Sequence, residues 1–273
     1  MTAQDDPALS ILGFDSAWVD NPRAPGALCA IRVDTRGRRR LVPPAPASFE
    51  GALASIAAET APLRIVAIDQ PTIVPNATGT RPADRAAASL ISWLGGGVQP
   101  ANRGKAAMFG DGAPIWRFRD ALGAVEDPEA SRSAASGLYL MEVFPALALP
   151  SLDPAFCGRR LGPRYNPARR KTFAMAGWRA VAGAVARIGR EEAVEGLPEW
   201  AEALAALPVP RKPDQDRLDA VLCALVGLRW RTGPREASLM LGDLASGYMV
   251  APASEVARAR LEAAARRLGV PLA

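Results

Sequence analysis

The chain has 273 residues, 49% of them hydrophobic, which fits one large domain or two modest ones with ample material for a core. It carries 33 Lys and Arg against 28 Asp and Glu, a net +5, which permits a polyanionic partner through general attraction. It contains no histidine, and this excludes Ser-His-Asp and Cys-His catalysis, His-ligated zinc and histidine general bases.

The opening stretch, MTAQDDPALS, is acidic and lacks the basic and apolar regions of a signal peptide. Residues 1–8 read as a loose tail. Cys29, Cys157 and Cys223 are widely separated without CxxC spacing, so neither a disulfide framework nor a zinc site is indicated. A cytoplasmic location is expected.

Ile11–Trp18 (ILGFDSAW) has the residues of a buried central strand, interrupted by one carboxylate, Asp15. A bare carboxylate there is expensive unless it is paired or binds a cation. Leu28–Val33 and Arg39–Val42 read as two further strands of a meander, joined by the turn residues Asp34 to Gly37. Ser48–Thr60 reads as a helix with Ser48 as N-cap. Arg64–Asp69 (RIVAID) is a fourth strand that again ends in an acid, Asp69. A strand-helix-strand passage favours a right-handed crossover and parallel pairing with the first strand. Asp15 and Asp69 then share one edge of the sheet.

Residues 71–136 read as a long irregular insert, of the kind that covers a site, with a helix start over Trp116–Leu122. It carries Arg81, Asp84 and Arg85; the two arginines share a face at i, i+4, and their forks suit phosphate oxygens. Gly95–Gly97 lacks the following GK[ST] of a phosphate loop. Gly137–Pro145 (GLYLMEVFP) is a fifth strand with Glu142 near its end. Lys171, one of only three lysines, precedes an Ala-rich helix over Arg169–Ile188 and offers a point charge for phosphate. A shorter helix lies near Pro198–Leu207. Asp214–Arg231 is the clearest helix, with Leu218, Val221, Leu222, Leu225 and Leu228 as its apolar stripe and Asp216 and Asp219 near its start. Gly247–Val250 reads as a short strand and Ala253–Leu268 as a surface helix.

Asp15, Asp69, Glu142 and Asp219, with Asp216 in support, are therefore the candidate site. Hard oxygen ligands without imidazole or thiolate suit Mg²⁺ or Mn²⁺. A pair of such ions about 3.5–4 Å apart promotes phosphodiester cleavage. Arg81, Arg85 and Lys171 are the candidate substrate contacts, and DNA or RNA the candidate partner.

The ordered set GFDSAW, VAIDQP, RPADRAA, MEVFP, a lysine, then DRLDAVLCAL resembles the DUF429 family, regarded as predicted nucleases of the ribonuclease H-like fold. The likeness spans roughly residues 10–252. It implies a single α/β domain over 1–273, with a five-stranded mixed sheet of order 3-2-1-4-5 whose second strand is antiparallel to the rest. It also implies Asp15 on the central strand, Asp69 beside it and Asp219 facing both from the last helix, in a metal-dependent nuclease. Two rivals remain. An actin-like phosphotransferase requires a D-x-G loop where this chain has Asp15-Ser16-Ala17. A non-catalytic or small-molecule-binding protein on the same fold would show a closed pocket under the insert in place of an open groove.

Overall fold

A computed structural model describes residues 7–273. Of the expected loose tail, residues 1–6 lie outside the described residues; Pro7 and Ala8 already belong to the first strand.

The structure is a mixed sheet with helices on both faces. Strands β1 (Pro7–Asp15), β2 (Gly26–Asp34) and β3 (Arg39–Ala47) form the antiparallel meander. Helix α1 (Phe49–Ala57), with the Ser48 hydroxyl accepting from the Gly51 N–H, crosses to β4 (Leu63–Ile68), which pairs parallel with β1. β5 (Gly137–Glu142) pairs parallel with β4. A two-residue β6 (Val194–Glu195) closes the far edge, so the order is β5-β4-β1-β2-β3-β6. The five expected strands thus hold their order and a sixth is added. The third strand is also longer than expected. It runs through Pro43, Pro44 and Pro46, where β6 pairs only with Arg39 and Arg40 and leaves the outer edge open; proline is tolerated where no neighbour needs its N–H.

Period-two alternation decides what each strand residue meets. Leu9, Ile11, Ile65 and Ala67 pack with α7 (Met175–Glu191), α8 (Leu197–Ala205) and α9 (Lys212–Thr232) on one face. Leu12, Phe14, Val66, Ile68 and Leu140 pack with α1 and the insert on the other. Helix α9 lies very close to the sheet. A Cβ on Gly13 would strike the Ala220 carbonyl, and one on Gly227 would come within 2.7 Å of Ile11 Cγ2. Small residues at 220, 224 and 227, one α9 face, make that approach possible.

The insert is not irregular. It forms α2 (Pro82–Trp93), a single turn α3 (Ala106–Phe109), α4 (Pro114–Leu122) and α5 (Pro128–Ser133). The helix expected over Trp116–Leu122 is α4; proline at the first helical turn also starts α2 and α5, a signal the expectation of a loop passed over. A short α6 (Pro145–Leu152) follows β5. The last short strand has a partner: β7 (Ser238–Asp243) and β8 (Gly247–Pro252) form a hairpin. This hairpin, α2 and the terminal α10 (Glu255–Leu268) share a third apolar cluster. Among the described residues no helix is long and apolar enough to cross a membrane.

Candidate functional site

Asp15 ends β1, and Asp69 follows β4 by one residue, its N–H donating to the Phe14 carbonyl. Both fall at odd positions, in phase with Ile11 and Ile65, and so face α9. Helix α9 presents Lys212, Asp216 and Asp219 on one side at helical spacing. The four carboxyls meet one ammonium there. Asp15 lies within electrostatic reach of Asp219, Asp69, Lys212 and Asp216, and Asp69 of Asp219, Lys212, Glu142 and Asp216.

The acids are unequally satisfied. Asp219 Oδ1 accepts from the Tyr165 hydroxyl at 2.8 Å, and its Oδ2 accepts from the Gln215 amide. Asp216 is ion-paired with Lys212. Asp15 is 6% exposed, and its Oδ2 is buried with no hydrogen-bond partner. Burial, then the charges of Asp219 and Asp69, push the Asp15 carboxyl well above the usual range. Burial and Asp219 do the same to Asp69. Burial raises Asp219 to about 6, opposed by Lys212, Tyr165 and Gln215. Burial works against the charge on Lys212, but Asp15, Asp216 and Asp219 outweigh it and raise the ammonium's pKa.

The surrounding backbone is tightly set. The Trp18 indole N–H donates to the Asp69 carbonyl at 2.8 Å, and Ser16 is hydrogen-bonded to Gln70. Trp18 and Asp20 adopt left-handed backbone, with φ of 57° and 51°. Such conformations persist only where neighbours hold them, and the Asp20 carboxylate accepts from the Phe49 N–H at 3.0 Å.

Glu142 lines the same cavity and lies within electrostatic reach of Asp69, but its oxygens are committed to another partner. It ends β5, in register with Ile68. There it accepts from both Arg81 Nη1 (2.8 Å) and Nη2 (2.6 Å) and from the Thr72 N–H. Burial pushes the Glu142 carboxyl up to about 7, and Arg81 opposes this. Arg81 is fully buried, and its remaining donors go to Asp84 and the Ile73 carbonyl. The expected phosphate contact at Arg81 is therefore corrected. Its guanidinium locks the segment after Asp69 to α2 and β5, and Gly247 lets the hairpin approach it, since a Cβ there would lie 2.8 Å from Arg81 Nη1. Arg85 and Lys171 are exposed and lie outside the cavity described next.

The acids line a cavity of about 560 Å³. Its other walls are apolar, from Ile91, Leu94, Val98, Phe144, Leu149 and Phe156, and its rim carries Arg164 and Arg169. Residues 91–99 of the insert roof it. Sequence reading missed Tyr165, Gln215, Lys212, Arg164 and Arg169. Only Lys212 and Gln215 had a legible signal, each lying four residues before an acid on its helix face.

An all-oxygen donor set, an orphaned buried carboxylate oxygen and excess negative charge suit a hard divalent cation. Among the described residues no three acidic, His or Cys side chains already stand in ligand geometry; Lys212 meets the charge instead.

These features define an α/β protein with a six-stranded mixed sheet whose parallel strands deliver acids to a partly roofed cavity. The chain belongs to the DUF429 family, described as a protein of unknown function, whose family model matches residues 13–240. No curated protein and no solved structure matches it.

Proposed function

We propose that this protein is a metal-dependent phosphodiester hydrolase of the ribonuclease H-like fold, acting on nucleic acid. One observation carries the reading. Asp15, Asp69 and Asp219, far apart in sequence, converge at one sheet edge with their carboxyls raised by burial and by one another. Carboxyls so perturbed, gathered in a cleft, mark functional sites. Mg²⁺ or Mn²⁺ would be held by Asp15, Asp69 and Asp219, with Asp216 adjacent. When bound, such ions stabilise charge on phosphoryl oxygens and make water more acidic.

The chain's own groups do the positioning. The Tyr165 hydroxyl and the Gln215 amide orient the Asp219 carboxylate. The Trp18 indole fixes the backbone of Asp69. Lys212 is a point charge beside the acids, suited to a phosphoryl oxygen once a divalent ion has taken over its partners. Arg164 and Arg169 at the rim suit neighbouring phosphates. Glu142 has no such role here, because both its oxygens are held by Arg81.

The test is cleavage of branched DNA, RNA–DNA hybrid and single-stranded substrates with Mg²⁺ or Mn²⁺. Cleavage lost in Asp15→Asn supports the proposal; equal behaviour of wild type and variant removes it. The roofed apolar half of the cavity favours a second reading, a small-molecule-binding protein on the same fold. Calorimetric binding of a free nucleotide, without cleavage of any substrate, would favour that reading.

A further inference from the structure

The segment 157–174 crosses from the end of α6 to the start of α7. It contains Arg159, Arg160, Arg164, Arg169, Arg170 and Lys171 and not one Asp or Glu. These six cations alone exceed the net +5 of the whole chain, so the remainder is close to neutral. A genome-wide preference for arginine would spread positive charge along the sequence; it does not account for its concentration here. All six residues are exposed, and none has an ion-pair partner among the described residues.

The strap is anchored rather than loose. Arg160 N–H donates to the Trp93 carbonyl at 2.8 Å and Gly162 N–H to the Leu94 carbonyl at 3.0 Å, tying it to the end of α2. Ala174 N–H donates to the Arg164 carbonyl at 2.8 Å. From its middle, Tyr165 reaches down to Asp219. One piece of chain therefore joins an exposed row of cations to the acidic floor of the cavity, and Arg164 and Arg169 stand where the two meet.

We propose that the strap 157–174 is a track for the phosphate chain of single-stranded nucleic acid, from which one unpaired nucleotide enters the cavity. The identity of the entering group rests on the hydrolytic reading above; the strap's own binding does not. Asp15 and Asp219 are only 6% and 4% exposed, so a phosphate reaches them only by entering the cavity. A cavity of about 560 Å³ admits a nucleotide but not a duplex. Trp18 and Phe144, half-buried on its walls, are its aromatic platforms for a base. A cationic track beside aromatic platforms is how sequence-tolerant single-strand binding is built.

The experiment is fluorescence anisotropy with a labelled oligothymidylate and the full chain in EDTA, where nothing depends on metal or cleavage. Reversing three exposed strap cations, R159E/R160E/R170E, is expected to weaken binding at least tenfold and to flatten the log–log salt slope by about 2, at about 0.7 for each phosphate no longer neutralised. The milder R159Q/R160Q/R170Q shows the same effect at smaller size and guards against misfolding. A control with the same charge change elsewhere, R117E/R266E/R267E, retains most of the affinity. The proposal is overturned if wild type does not bind, if the control loses as much as the strap variant, or if duplex binds as tightly as single strand. Strap-dependent binding without cleavage of any substrate would leave the track standing and remove the hydrolytic reading.

Discussion

Replacing Asp15 with Asn removes a charge from the most crowded point of the site while keeping its shape. Asp15 is buried, one of its oxygens has no hydrogen-bond partner, and Asp69, Asp216 and Asp219 all act against its ionisation. Asn leaves a polar group at the unpartnered position, so the gain comes from the charge alone: burial and the like charges penalise the ionised form by about 1.4 kcal/mol for each tenfold weakening of the acid. In metal-free protein Asp15→Asn is therefore expected to stabilise the fold by about 2 kcal/mol. At about 2–4 °C per kcal/mol for a chain near this size, Tm rises by roughly 4–8 °C. Mg²⁺ reverses the ranking. An ion at about 100 times its Kd adds roughly 2.7 kcal/mol to wild type and much less to the variant. Thermal melts followed by circular dichroism, in EDTA and in Mg²⁺, measure both effects. A variant less stable than wild type in EDTA, or stabilised equally by Mg²⁺, would refute this account of the acids.

The raised acids also fix a pH dependence. Between the unfolded aspartate pKa of about 3.9 and the folded value of about 6 for Asp219, the folded state binds more protons than the unfolded one. Metal-free stability should therefore rise as pH falls from 7 to 5 and fall again below about 4, where Asp34 and Asp243, whose pKa values are lowered, lose their partners. Urea melts across pH check this, and a flat profile from 7 to 5 counts against it. Arg81→Met leaves Glu142 and Asp84 buried without their cation, so a loss of about 3–5 kcal/mol is expected in urea denaturation. Arg81→Lys should recover only part, because one ammonium does not reproduce the fork. Gly13→Ala forces a Cβ into the Ala220 carbonyl and should cost more than any other single methyl added to β1, read from the urea midpoint; a loss under about 1 kcal/mol would show that α9 moves aside freely.

Much of this architecture was legible because it is local. The meander, the crossover and the existence of α9 each follow from apolar spacing over a few residues, although α9 is buried on every side from Leu218 to Leu228 and not along one stripe, and strand parity alone sends Asp15 and Asp69 toward it. Glu142 lines the same cavity as the acids, as its place near the end of β5 suggests, but its pairing with Arg81 has no local signal. What could not be read depends on distant partners. Arg81 looked like a surface phosphate contact because its sequence neighbours are polar, yet it finds Glu142 61 residues away. Tyr165 reaches Asp219 across 54 residues from a segment without periodic pattern. Of the insert's helices, α2 depends on α10 and the hairpin for burial and α4 on β1, β4 and α1, so the polar, glycine-bearing stretch around α2 looked like loop.

The most direct test is anomalous scattering from crystals soaked in Mn²⁺. An anomalous peak liganded by Asp15, Asp69 and Asp219 is expected, with Lys212 displaced from Asp216. No peak among these carboxylates in Mn²⁺-saturated crystals, with Lys212 still paired to Asp216, would contradict the assignment of a metal site.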